Sequence, residues 1–578
     1  MMQKTLGILD YKSKRSYISG DYKIEDWEGL KPHVDYLMKQ DPQSLEELEQ
    51  FLVQINELDA IVQEELAWRY IRMTCDTQDE KLVARYQYFV KEIAPHLSVV
   101  EDKLNRKLAS NPYFAQLNSD IYHTYTRTVK KDIALFREDN VPLMAEMQSI
   151  SQQYRTLAGA MSIVYKEQTY TFQQASKFME KWDRALRKTI WEKIWIRRLE
   201  DKEKLEGVFD QLIKLRHQIA QNAGFETYTS FKFMSLGRFD YTEADTLAFH
   251  ESVEKSVKPI YETLIRERMD RLGVDKLRPW DLNVDIFGEE PLKPFEKADQ
   301  LVDKSIQALA RLKPELGEMI GLMNEINYLD LESRVGKAPG GYNYPLLEVG
   351  VPFIFMNAAG TQNDVITMFH ESGHAVHAFL TREVPLNVLK QTPPEVAELA
   401  AMSMELLSLD YYDIFYPNKE DRIRAKKGQL YRCIIILPWI ATIDAFQQWL
   451  YDHPNHSREE RSKKWVELYE RFHGTLIDWT GYEGYKESMW LKQGHIFEVP
   501  FYYIEYAIAQ LGAIAIWKNY KLDPQKGLEA YLNALKLGYT QSIPQIYDTA
   551  NIRFDFSQDY IRECMDFCLE AYQSFAIE

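Results

Sequence analysis

Apolar residues recur at three- and four-residue spacings along most of this chain, which is the spacing of one face of an α-helix. From about Asp26 to Lys107 the pattern is helical almost throughout. Ser44, with Glu47 three residues later, opens an amphipathic run through Phe51, a helix-start signal in which a hydroxyl caps the first turn. Gln78–Val90 reads the same way, and further helices are predicted from Ser119 to Phe136 and from Pro142 to Met161. The β-branched and aromatic stretch Ile163–Phe172 breaks the pattern and predicts a short strand or hairpin. The division between an N-terminal helical region, 1–165, and a second region, 166–578, is placed there. Helices resume from Gln173 to Gly224, and the charge runs Arg197–Lys204 and Arg266–Arg271 read as solvated helix faces.

Residues 333–362 differ. Gly336, Pro339, Gly340, Gly341 and Pro345 punctuate a loop, and the apolar run Val351–Met356 predicts a strand of a small antiparallel sheet. Pro352 lacks an N–H and suits an edge strand. Such an edge just before the next helix either adds an extended peptide by backbone pairing or simply covers that helix. The next helix, from an N-cap at Asp364 to Leu380, has Val365, Met368, Phe369, Val376 and Phe379 on a buried face. No repeat, low-complexity segment or Gly/Ser linker interrupts the chain.

Composition narrows the function classes. With 45% hydrophobic and 27% charged residues the chain is of ordinary globular type, and its aromatics read as helix-packing core. A net charge of −17 leaves no basic face for nucleic acid. The acidity reads as a solvated surface rather than a trap for cationic peptides. Four cysteines in 578 residues fit a reducing compartment, and Cys564 and Cys568, one helical turn apart, read as buried thiols. Met1–Asp10 lacks the apolar core of a signal peptide, and no run of eighteen apolar residues predicts a membrane span, so a cytoplasmic protein is expected.

The chemistry concentrates in His370-Glu371-Ser372-Gly373-His374. By composition alone, His-Glu-x-x-His is expected fewer than about 0.04 times in a chain with 12 His and 87 acids. On a helix His370 and His374 stand about 40° apart, so both imidazoles reach one small cation, for which Zn²⁺ is the natural choice. Glu371 lies about 60° around from His374, beside the ion, where a general base for water is needed. Gly373 costs about 1 kcal/mol relative to Ala in a helix, which implies that something approaches the backbone there. A metzincin needs Gly at position 377 and His at 380; the chain has His377 and Leu380. The third ligand is therefore sought on the next helix. Thr392-Pro-Pro-Glu395 starts one with a capping box, and Glu398, an acid on an apolar face, is the candidate. Glu405, on the same face, is read as holding a ligand histidine by its other nitrogen. His377 is read as a packing or supporting histidine ahead of a substrate contact, and Asp452–His456 as a polar surface turn.

His370–His374 followed by Pro393-Pro-Glu-Val-Ala-Glu398 resembles the thimet-oligopeptidase-like M3 metallopeptidases, in particular the oligoendopeptidase F and Pz-peptidase branch. Leu236–Tyr241, Pro279–Leu282, Gly336–Tyr342, Val351–Asn357 and His495–Tyr506 also look like landmarks of that family, so the resemblance spans about 165–560. It implies a mainly α fold: a large helical ellipsoid with a deep central channel that admits short unfolded peptides, and a small antiparallel sheet beside the zinc helix. It favours strand pairing with substrate over mere coverage. It also implies that a histidine and tyrosines near 495–506 bind substrate and stabilise the transition state. Tyr506 is the first candidate for the phenol donor, Tyr503 the second, with His495 beside them; Glu498-Val-Pro-Phe replaces the glycine-rich loop of the thimet branch.

The expected function is thus a zinc endopeptidase with one ion per chain, acting on oligopeptides, with no nucleic-acid or membrane partner. A dipeptidyl carboxypeptidase is the alternative enzyme, and a non-catalytic peptide-binding protein the alternative outside enzymes. An intact Glu371 argues against the latter, since binding alone has no use for a base.

Overall fold

The computed structural model describes residues 15–575 except Glu289, Val335 and Pro339. The readings of Met1–Asp10 and Pro339 lie outside the described residues. The fold is mainly α, with two small sheets among the described residues. It divides into two compact units, each assembled from distant stretches of chain. One comprises residues up to Phe136, Lys293–Asn418 and Gly512–Phe554; the other comprises Arg137–Leu292, Lys419–Leu511 and residues from Asp555 on. The division expected near 165 falls inside the second unit.

In the first unit Ser44 caps the 31-residue helix Leu45–Cys75 as predicted, accepting the Glu47 N–H. Leu48, Phe51, Leu58 and Ile61 of this helix form a core with Leu104, Leu108 and Val129 and, from far along the chain, Leu386 and Leu389. Its last turns, at Ala67 and Ile71, pack on Leu346, Phe353 and Phe355 of the sheet region. At about 1.5–3 kcal/mol per fully buried large side chain, such contacts bind N-terminal helices firmly to segments 300 residues later.

The sheet itself differs from expectation. It contains β3 (Leu329–Glu332), β4 (Tyr342–Tyr344) and β5 (Phe353–Ala358) in the order β3-β5-β4. β5 pairs in parallel with β3 and antiparallel with β4, so the sheet is mixed and β5 is its central strand. Pro352 stands just before β5, where it withholds no ladder hydrogen bond. The outer strand next to the glycines is β4. Gly340 has φ +100°, a conformation that favours glycine, and its carbonyl and that of Ala338 accept the Asn357 amide at 2.9 and 2.8 Å. Lys337 closes the other side of this loop: its fully buried ammonium donates to Asp330 and to the Glu332 carbonyl, and lies 4.4 Å from the Phe355 ring centroid.

In the second unit the predicted hairpin is present as β1 (Ser162–Tyr165) and β2 (Gln168–Thr171). Both charge runs depart in part from their solvated reading: Asp201 is buried, and Arg268 is buried and donates to the Asp281 and Val284 carbonyls. The 34-residue helix Lys419–Asp452 is long and apolar enough to cross a membrane by length and composition, and 78% of that apolar window is buried inside the protein. No disulfide joins the four cysteines, and Cys564 and Cys568 are buried as read.

Candidate active site

The histidine helix spans Gln362–Leu380. Its cap is Thr361 rather than Asp364. Thr361 accepts the Asp364 N–H while the Asp364 carboxylate takes the Thr361 N–H, a reciprocal box that starts the helix a turn earlier than expected. The glutamate helix spans Pro394–Leu407, with Pro394 at its first position. The expected Thr392–Glu395 box is absent: Pro393 is the N-cap, and Glu395 is buried.

The two helices touch at Gly373. A Cβ there would stand 2.5 Å from the Ala400 carbonyl oxygen and 2.6 Å from Ala401 Cα. The backbone approach inferred from this glycine is thus the glutamate helix itself. The contact carries Glu398 to the two histidines: donor atoms of His370, His374 and Glu398 all lie within 4.8 Å of one another. The His370 and His374 rings are 4.9 Å apart at 85°, and His370 Nε2 is 3.4 Å from Glu398 Oε2.

This set fits a tetrahedral ion. Ligands about 2.1 Å from a shared zinc are about 3.4 Å from each other, the separation just given for His370 and Glu398. Two imidazoles and one carboxylate are a three-ligand set of the catalytic kind, which leaves a fourth position for water. Glu405 Oε1 lies 2.7 Å from His370 Nδ1, so Nε2 is the nitrogen turned to Glu398.

Electrostatics follow from this enclosure. Burial opposes a proton on His370, but the bond to Glu405 and the charges of Glu398, Glu405 and Glu371 prevail and raise it to about 10. His374 is held well below its ordinary value by burial and by the neighbouring His370 and His377. Glu371 is buried, and its Oε2 has no hydrogen-bond partner. Burial raises its carboxyl to about 7, with the Glu398 and Glu405 charges adding to the rise and His370 opposing it. A carboxyl near 7 is suited to accept and return a proton at neutral pH. His377 is buried and lowered to about 4 by burial, against the bond to the Leu535 backbone, in keeping with a packing role.

His495, Tyr503 and Tyr506 come together in the second unit. Tyr503 and Tyr506 occupy the first turn of the helix Tyr503–Leu522, and their rings lie 4.9 and 6.0 Å from that of His495. The turn before this helix is held under strain. Phe501, buried, has φ +67°, unusual for a bulky residue. Its N–H donates to Gln447 Oε1 at 2.9 Å, and its carbonyl accepts from Arg238, which also pairs with buried Glu505 at 3.0 Å. Gln447 and Gln493, the latter 2.7 Å from His495 Nδ1, were not distinguished by sequence. The only signal for Gln493 is its place two residues before a candidate histidine.

Residues 177–566 match Peptidase family M3, and residues 19–136 match the Peptidase M3 N-terminal domain. An oligoendopeptidase F homologue of Mycoplasma pneumoniae is 24% identical over 429 residues, covering 68% of this chain and 66% of its own length, so the chain spans just under two thirds of that relative. The structure of Pz peptidase A with an inhibitor superposes with a TM-score of 0.90 at 27% identity, covering 96% of this chain and 99% of the other. A protein from Bacillus anthracis described as an oligoendopeptidase F shares the fold at TM-score 0.86 and 24% identity, with coverages of 97% and 99%. Since the family match runs through more than half of the sequence and contains both helices of the His370–His374–Glu398 group, this chain belongs to peptidase family M3.

Proposed function

We propose that this protein is a zinc-dependent endopeptidase that hydrolyses internal bonds of short oligopeptides. The observation that carries the reading is the grouping of His370, His374 and Glu398 around one point, with the unpartnered carboxylate oxygen of Glu371 on the same helix. The names of its relatives, oligoendopeptidase F and Pz peptidase, support oligopeptides as the substrate class.

His370 and His374 would hold the ion through imidazole nitrogen and Glu398 through a carboxylate oxygen, while Glu405 keeps the His370 ring turned. When bound, zinc supplies Lewis acidity that brings the pKa of a water from 15.7 to about 7. Glu371 takes the proton of the attacking water and returns it to the leaving amine, so the peptide C–N bond breaks as the new C–O bond forms. Its loss is expected to cost about 10²–10⁴ in rate, the usual contribution of general acid–base catalysis. Negative charge on the former carbonyl oxygen calls for a donor, a role assigned to Tyr506, with Tyr503 and His495 as substrate-binding residues. The outer strand β4, next to Gly341, offers backbone groups with which an extended peptide pairs. A cytoplasmic setting, read from the low cysteine count of the sequence, is part of this proposal.

Mass-spectrometric mapping of cuts in a mixed peptide library, with and without a zinc chelator, tests this reading. Internal cuts that cease with chelator and return with zinc are expected. Cuts confined to the second bond from a free C-terminus, lost when that terminus is blocked, would replace the endopeptidase by a dipeptidyl carboxypeptidase. Absence of any zinc-dependent cut would remove the enzymatic reading altogether.

A further inference from the structure

His495 is held by a chain of hydrogen bonds whose direction is set at its far end. The Trp439 indole has one N–H and no acceptor, so the atom it faces must accept. It faces Gln493 Oε1, at 3.3 Å, and the Tyr503 hydroxyl; an NH₂ group in the place of Oε1 would set donor against donor. The other arm of the amide is then the NH₂ group, which stands 2.7 Å from His495 Nδ1. An amide NH₂ only donates, so Nδ1 carries a lone pair and the proton of the neutral ring sits on Nε2. The amide orientation thus follows from the chemistry of the indole.

We propose that Trp439 and Gln493 are positioning residues that lock His495 as the neutral Nε2–H tautomer, a hydrogen-bond donor on its Nε2 side. The use of this donor in peptide hydrolysis rests on the reading above that His495 serves that reaction. The lock also opposes protonation, because an imidazolium would set Nδ1–H against the NH₂ group. Burial acts in the same sense and holds His495 below its ordinary pKa. The titratable groups around it are Tyr502, Tyr503 and Tyr506, with rings at 6.2, 4.9 and 6.0 Å. Tyr503 also shares the Trp439 and Gln493 hydrogen bonds. Lys492 lies 4.5 Å from the Trp439 ring, and Glu498, on the same short helix as His495, pairs with Arg155.

The test uses full-length zinc-loaded protein labelled with ¹⁵N-histidine. Long-range ¹H–¹⁵N spectra report the protonation of each ring nitrogen, and the signal of His495 is the one missing in His495→Gln. Between pH 6 and 8 the wild type is expected to show unprotonated Nδ1 and protonated Nε2; Nδ1–H in the wild type would overturn the lock. Gln493→Glu exchanges the donor for an acceptor and is expected to move a proton onto Nδ1. Its kcat/KM should fall about 10²–10³-fold at alkaline pH, where Nε2 loses its proton, the loss typical of removing one transition-state donor. The deficit should shrink below tenfold at acid pH, where the imidazolium again offers Nε2–H. A deficit equal at every pH would mark a merely structural role and refute the proposal. Trp439→Phe frees the amide to turn and should give a mixture of tautomers; a single wild-type tautomer there also refutes it. Peptide cleavage at the wild-type rate by His495→Gln would instead remove His495 from the proposed reaction, whatever its tautomer.

Discussion

Glu405 Oε1 lies 2.7 Å from His370 Nδ1, one helix reaching across to another to fix which imidazole nitrogen faces Glu398. In the proposed zinc site the pair gives Glu405 a supporting role without its being a ligand. Outer partners of this kind typically hold metal affinity up by 10–100-fold. Glu405→Ala is therefore expected to weaken zinc binding by about that factor while helical content stays at the wild-type level. Competition titration against a chromogenic chelator measures it; an unchanged affinity would show that His370 is oriented without this carboxylate.

Glu371→Gln separates binding from chemistry. The amide keeps the shape and the burial but accepts no proton, so zinc stoichiometry should remain at one per chain while turnover drops by about 10²–10⁴. Metal analysis and peptide hydrolysis on the same preparation check it. Turnover at the wild-type level would transfer the general-base role to another group.

Gly373→Ala tests the contact between the two helices. The added Cβ would meet backbone at 2.5 and 2.6 Å, which no side-chain rotation relieves. Overpacking of this kind costs about 1–3 kcal/mol, and here the helix forced aside is the one carrying Glu398. A lower unfolding midpoint together with weaker zinc binding is expected. Loss of stability alone, with zinc affinity intact, would mean that Glu398 does not depend on this approach.

Acid sensitivity should reside partly in β3, at Asp330, which is tied to the loop that follows it. Burial works against ionisation of Asp330, but bonds from Arg334, Cys75 and Lys337 outweigh it and lower the carboxyl to about 2. A folded-state value below the ordinary one means that the unfolded chain binds more protons between these limits, so stability falls as pH falls. The contribution is complete above about pH 4, is lost toward pH 2, and is on the order of 2 kcal/mol or less. Unfolding midpoints of the wild type should therefore decline more steeply from pH 4 to 2 than those of Asp330→Asn. Parallel profiles would contradict this origin.

Arg238→Ala removes the cation paired with buried Glu505 and one of the two groups that hold Phe501 at its positive φ. Breaking a buried pair from one side costs about 3–5 kcal/mol. Arg238→Lys keeps the charge but loses the planar guanidinium, whose Nη2 reaches both Glu505 and the Phe501 carbonyl and whose face lies 4.4 Å from the Phe233 ring centroid, and should fall between the two. Denaturant midpoints rank the three proteins; equal midpoints would show that Phe501 keeps its backbone conformation without this clamp.

Much of this protein was legible in its sequence, wherever the determining physics is local. Helical periodicity marked individual helices, in line with the mainly α fold that the family resemblance implied, Ser44 and Glu47 marked a helix start, and a four-residue interval placed His370 and His374 on one face with Glu371 beside it. Gly373 announced a close approach, and Glu398 stood out as an acid on an apolar helix. Errors of about a turn, such as Asp364 for Thr361, arise because a capping box contains two competent residues and only the backbone decides which one caps. Three matters were settled by tertiary contacts alone. The strand read as an edge became the central β5, since pairing partners 9 to 26 residues away in sequence determine a strand's place in a sheet. The N-terminal helices joined the unit of the histidine helix because Ala67, Ile71, Leu386 and Phe355 bury apolar surface that no local pattern assigns to a partner. Finally, the tautomer of His495 depends on an indole 56 residues earlier, and a hydrogen bond over that separation leaves no periodicity in the chain to read.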